Sequence, residues 1–152
     1  MKKIIITLVI FLSSTLVSFG LSESEASAAM SSKNADKVVT TGQKYIGTPY
    51  KYGGTTPKGF DCSGFVGYTI KKATGQSLPR TSTSMYKKGQ KVAKTKLKKG
   101  DLVFFNTSGK GVSHVAIYIG SNKVIHSVSK GVKIDSLNSS YWKKRYVGAK
   151  RL

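Results

Sequence analysis

The chain has 152 residues, the size of a single domain plus a short extension, and 26 lysines and arginines against 6 acidic residues give it a formal net charge of +20. Its single cysteine excludes an internal disulfide, and no run of His, Cys and carboxylate residues has metal-ligand spacing, so no metal or organic cofactor is expected. The charge favours polyanionic partners. Nucleic acid is not expected among them, because no nucleic-acid motif is present and the lysines are scattered along the chain.

The first residues read as an export signal. Lys2 and Lys3 precede an apolar run, Ile4 to Phe19, and Ala26-Ser27-Ala28 supplies a small-residue cleavage site. The expectation is a signal peptide over 1–28 and one domain over 29–152, secreted and without a stable membrane anchor. The apolar run is shorter than the ~20 residues of a spanning helix, and the lone cysteine lies too far downstream for a lipid. Setting aside Lys2, Lys3, Glu23 and Glu25 leaves 24 basic and 4 acidic residues, so the expected mature chain is again +20.

A first helix is expected over Ser31 to Ile46, with Ala35, Val38, Val39, Gly42, Tyr45 and Ile46 on one face, Ser32 or Asn34 as cap, and Gly47 and Pro49 as stop. A glycine-rich loop, GTPYKYGGTTPKGF, follows from Gly47 to Phe60. A second helix runs from Cys62 to Thr74, capped by Asp61 and ended by Gly75. Beyond a basic connector, strands are expected at Asp101 to Phe105, Ser113 to Ile119, Lys123 to Val128 and Gly131 to Ile134. A helical turn around Leu137 to Trp142 leads to a last strand, Arg145 to Lys150. Helices first and adjacent strands afterwards give an α+β class, with the Cys62 helix packed on an antiparallel sheet.

Cys62 falls in the first turn of its helix, where free N–H groups and the positive dipole end stabilise an anion. Its thiol pKa is therefore expected to be lowered. On residue type alone, an inert packing thiol and a nucleophile both remain open. The chain has two histidines, His114 and His126, and both lie in the strand region. A turn centred near Ser121 sets His114 opposite a residue close to Val128. His126 then sits one pleat step away, roughly 7 Å diagonally, on the same face unless a bulge intervenes. One imidazole can then take a thiol proton while the other orients it.

The string YKYGGTTPKGFDCSGFV, Tyr50 to Val66, resembles the nucleophile region of the NlpC/P60 endopeptidases. LPRTS, KKGDLVFF, SHVAIYIG and VIHS follow in that family's order and span nearly all of the expected mature chain. The resemblance implies a papain-like NlpC/P60 fold, with Cys62 as nucleophile, His114 as general base and His126 as the third polar residue. It also implies that Tyr50 positions substrate or stabilises an oxyanion, with the Cys62 N–H as a second oxyanion donor. Asp61 and Ser63 match residues that hold the L-alanine end of free peptides, and Arg80 lies in the LPR motif without a fixed role.

The implied activity is hydrolysis of peptidoglycan stem peptides between D-γ-glutamyl and a diamino acid, through a thioester. Peptidoglycan stems are then the partner, with anionic wall polymers drawn to the basic surface, and the protein is expected to be a secreted or wall-associated monomer. Two rivals are a CHAP-type amidase, against which DCSGF, LPR and VIHS argue, and a non-catalytic cationic wall-binding protein, against which the intact Cys62, His114 and His126 argue.

Overall fold

The computed structural model describes residues 29–152, and the expected export signal over 1–28 lies outside them. Helix α1 (Ser32–Gln43) begins at Ser31, whose hydroxyl accepts from the Asn34 N–H at 3.2 Å. It buries Ala35, Val38, Val39 and Gly42, the expected stripe, but ends earlier than expected. The N–H groups of Lys44, Tyr45 and Ile46 bond three residues back rather than four, so the last turn tightens into 3₁₀ geometry and leaves Ile46 exposed.

The glycine-rich segment is more ordered than a plain loop. Strands β1 (Thr55–Thr56) and β2 (Gly59–Phe60) form a small antiparallel hairpin, and Tyr50 bridges Phe60. Helix α2 (Cys62–Thr74) has the expected bounds, with the Asp61 carboxylate accepting from the Gly64 N–H at 2.7 Å and Gly75 closing it in the left-handed region at φ 80°. The hairpin is pinned to this helix start by the Gly54 carbonyl, which accepts from the Asp61 N–H at 3.0 Å. A Cβ at Gly64 would overlap that carbonyl, so the glycine after Cys62 and Ser63 is a steric requirement.

The basic connector holds three elements that its charge concealed, one of them a 3₁₀ turn over Lys94–Lys96. Helix α3 (Ser82–Tyr86) is capped by Thr81 and buries Met85, and β3 (Gln90–Val92) adds an edge strand. The remaining elements are β4 (Leu102–Phe105), β5 (His114–Gly120), β6 (Lys123–Val128), β7 (Gly131–Ser136), α4 (Ser140–Arg145) and β8 (Tyr146–Arg151). Helix α4 begins three residues later than expected because Ser139 caps it. Strand β4 starts after Asp101, whose buried carboxylate instead takes Arg151 at 2.8 Å.

The six-stranded antiparallel sheet has the order β3-β8-β4-β5-β6-β7. Alternate residues of β4 and β5 enter two different cores. Leu102, Phe104, Val115 and Ile117 pack with Val38, Phe65, Val66 and Ile70 of α1 and α2. Val103, Phe105, Ala116 and Tyr118 pack with Leu137 and Trp142. Burial of each Val, Leu, Ile or Phe side chain among them contributes about 1.5–3 kcal/mol. Both faces of the sheet are covered, which explains why all four residues of β4 are apolar and buried.

Candidate active site

Helix α2 brings its N-terminus to the start of β5. The Cys62 thiol meets backbone N–H groups there, chiefly that of Val115, the residue after His114, and also those of Ser63 and Cys62 itself. The expected lowering of its pKa is not found. Burial pushes the thiol up from its ordinary 9.0, and the Asp61 charge adds to this, against the pull of those three N–H donors. The resting sulfur is a neutral thiol, because desolvation outweighs the helix terminus.

The two imidazoles do meet. The Ile117–Ile125 pairing, extended three residues along β5, sets His114 opposite Val128 and leaves His126 one pleat step away on the same face. A register shift lies between Tyr118 and Gly120, at the turn end of the hairpin, so it does not alter the parity of the histidines. Their Cα positions are diagonal, yet the rings lean together until His114 Nε2 and His126 Nδ1 are 2.9 Å apart. Burial pushes His114 down from 6.5 to about 3, with the His126 charge adding to the effect, and lowers His126 as well, against the opposing pull of Asp135. Both rings are neutral at pH 7, as a proton acceptor must be.

A third group stands behind them. His126 Nε2 lies 2.8 Å from Asp135 Oδ2, and the Trp142 indole N–H donates to the same oxygen at 3.2 Å. Lys133 reaches the other oxygen at 3.0 Å. Trp142 stacks on His114, with centroids 5.1 Å apart and planes at 25°, and closes over His126 at 4.7 Å. Neither Asp135 nor Trp142 is among the site residues expected from the sequence. The pleat that joins the histidines extends one hairpin further to Asp135, which pairs with Val124, two residues from His126 on β6.

Tyr50 and His114 line one cleft of about 910 Å³ together with Asp135, Tyr141 and Trp142. Burial raises the Tyr50 hydroxyl above its ordinary 10.0, with Cys62 and Asp61 nearby, so it is a neutral O–H donor beside the thiol. Next to Cys62 along the chain, Asp61 is gripped by both arms of the Arg80 guanidinium, at 2.6 and 3.0 Å, and Arg80 donates to the Ser63 hydroxyl at 2.8 Å. Burial alone would raise the Asp61 carboxyl. Arg80 and the Gly64 N–H instead hold it below its ordinary 3.8. Of the seven residues singled out in the sequence, Asp61, Ser63 and Arg80 form one hydrogen-bonded group at the start of α2, His114 and His126 form a second, and Tyr50 lies near Cys62.

Comparison with known proteins gives the chain relatives of one family. Residues 47–151 match the NlpC/P60 family. The probable peptidoglycan endopeptidase LytE of Bacillus subtilis is 53% identical over 121 residues, 79% of this chain and 35% of that protein. The gamma-DL-glutamyl hydrolase of the same organism is 47% identical over 119 residues, 76% of this chain and 28% of that protein. The chain thus spans about a third of the length of these curated relatives. The crystal structure of an NlpC/P60 family protein from Bacillus cereus superposes with a TM-score of 0.72 at 42% identity, covering 81% of this chain and 40% of that one. With the motifs in order, the α2 thiol beside β5 and this match over two thirds of its length, the chain belongs to the NlpC/P60 family.

Proposed function

We propose that this chain is a cysteine peptidase of the cell wall that hydrolyses the amide between D-γ-glutamyl and the diamino acid of peptidoglycan stem peptides. The observation that carries this reading is the Cys62 thiol at the start of α2, packed against β5 next to a buried, hydrogen-bonded pair of neutral imidazoles. Of the two Bacillus subtilis relatives, the name of the probable peptidoglycan endopeptidase supports the substrate, and that of the gamma-DL-glutamyl hydrolase supports cleavage at a γ-glutamyl amide.

In this reading His114 takes the Cys62 proton as sulfur attacks the carbonyl carbon, so no standing thiolate is needed. The Cys62 N–H and the Tyr50 hydroxyl stabilise the oxyanion. His114 then returns the proton to the leaving amine, and a thioester remains on Cys62. Water, deprotonated by His114, attacks it and releases the acyl half as a carboxylate. His126 orients His114. Asp61, Ser63 and Arg80 form the wall of the acyl side, where Arg80 fixes the carboxylate and hydroxyl that meet the alanine end of the stem. Export through 1–28 and attraction of the +20 chain to anionic wall polymers would bring the cleft to its substrate.

Mass spectrometry of purified muropeptides after digestion tests the reading. The expected products end in a free γ-linked D-glutamate carboxyl on one side and a free diamino acid amine on the other. Cleavage at the sugar–peptide link would show an amidase instead. Wall binding without any product would show a binding protein on the same scaffold.

A further inference from the structure

We propose that Asp135 is a positioning residue that sets the tautomers of both histidines, so that His114 keeps a bare Nδ1, the lone pair used in the proposed reaction. The assignment rests on the functional reading above only for the use made of that lone pair.

An ionised carboxylate accepts and cannot donate. Asp135 is ionised: burial would raise its carboxyl, but hydrogen bonds from His126 and Lys133 hold it below its ordinary 3.8. His126 Nε2, 2.8 Å from Asp135 Oδ2, therefore carries the hydrogen. A neutral imidazole has one N–H, so His126 Nδ1 is an acceptor. Its partner at 2.9 Å, His114 Nε2, must then be the donor, which leaves His114 Nδ1 unprotonated. A doubly protonated His126 would reverse the last two steps, and burial of His126 disfavours that state.

The surroundings fix the carboxylate rather than the histidines alone. Oδ2 also accepts from the Trp142 N–H, and Oδ1 is paired with Lys133, so the carboxylate is anchored from β7 and α4 at once. The groups facing His126 are His114 from β5, Asp135 and Lys133 from β7, and the Trp142 indole from α4. Of these, Asp135 accepts from the Nε2 side, and its charge also favours the imidazolium that His114 becomes during the reaction.

The test is side-chain ¹⁵N and ¹³C NMR of both histidines at pH 7 in the wild type, Asp135→Ala and Asp135→Glu, beside steady-state kinetics on a stem peptide. In the wild type both rings should be Nε2–H tautomers. Asp135→Ala should give a mixture of tautomers and lower kcat roughly 10- to 100-fold, with KM changed less than about twofold. Asp135→Glu should recover part of both. A wild-type His114 carrying its hydrogen on Nδ1 would overturn the proposal even if no variant folded. So would Asp135→Ala that kept wild-type tautomers and kcat. If the wild type cut no stem peptide, the functional reading would fail, and the tautomers would still decide the role of Asp135.

Discussion

Two polar networks flank Cys62, and they differ in burial. His114 and His126 are 6% and 0% exposed, sealed beneath Trp142, whereas the Asp61–Arg80 pair leaves the Arg80 side chain 46% exposed. In the first, desolvation strips charge from both imidazoles and makes every hydrogen bond decide a proton position. In the second, water screens the ion pair, and the pair serves to hold a shape rather than to move a proton. In the proposed mechanism, chemistry belongs to the dry side and substrate placement to the wet side. That division can be broken by mutation.

The largest effect is expected at the centre. Cys62→Ser should lose essentially all turnover with the fold intact, because the hydroxyl is a far weaker nucleophile beside the same base. On the buried side, His114→Ala should lose nearly all activity, while His126→Gln should retain part of it, since an amide oxygen can still accept from His114 Nε2. Kinetics on a stem peptide check both, and the reverse ranking would mean that the roles of the two rings are exchanged. On the open side, Arg80→Met should raise KM several-fold, to about tenfold, with kcat changed much less, because the loss is a partly screened pair that shapes the subsite. An equal fall in kcat would move Arg80 into the chemistry.

The same contrast predicts a pH response of stability. The folded pKa of His114 lies near 3 against an ordinary 6.5, and His126 is lowered too, so below 6.5 the unfolded chain binds protons that the folded chain refuses. Stability is therefore fully present above about pH 6.5 and lost progressively as pH falls toward 3. Asp61 and Asp135, lowered from 3.8, add their loss only beneath that value. The Tm should fall between pH 7 and 4, and His126→Gln should flatten that slope; an unchanged slope would mean that the rings titrate normally. The smallest effect on turnover is expected from salt. Binding to intact walls should weaken as ionic strength rises or teichoic acid is removed, while turnover of a soluble muropeptide holds steady. Wall binding indifferent to both would reduce the lysines to a role in solubility.

The apolar stripes of α1 and α2 and the alternation in β5 and β6 made most of the fold legible, because periodic burial leaves a periodic sequence. Residues 82–92 were not legible: α3 has five residues and β3 three, too short for a period, and lysines surround them. In the site, the spacing of His114 and His126 about Ser121 carried the pair, since a pleat of period two fixes which residues share a face. The Cys62 thiol state was not legible, because the helix terminus is local in sequence whereas burial depends on β5, more than fifty residues away. Asp135 was legible in principle. The described residues hold four carboxylates, Asp36, Asp61, Asp101 and Asp135, and in so basic a chain each one's partner repays tracing.

The most direct test of Cys62 as the nucleophile is intact-protein mass spectrometry of the enzyme, acid-quenched during turnover of a stem peptide. The account predicts a transient adduct on Cys62 whose mass equals the fragment ending at the D-glutamyl γ-carbonyl, lost on hydroxylamine treatment and absent, with all product, in Cys62→Ala. Undiminished product from Cys62→Ala, or an adduct on any other residue, would contradict it.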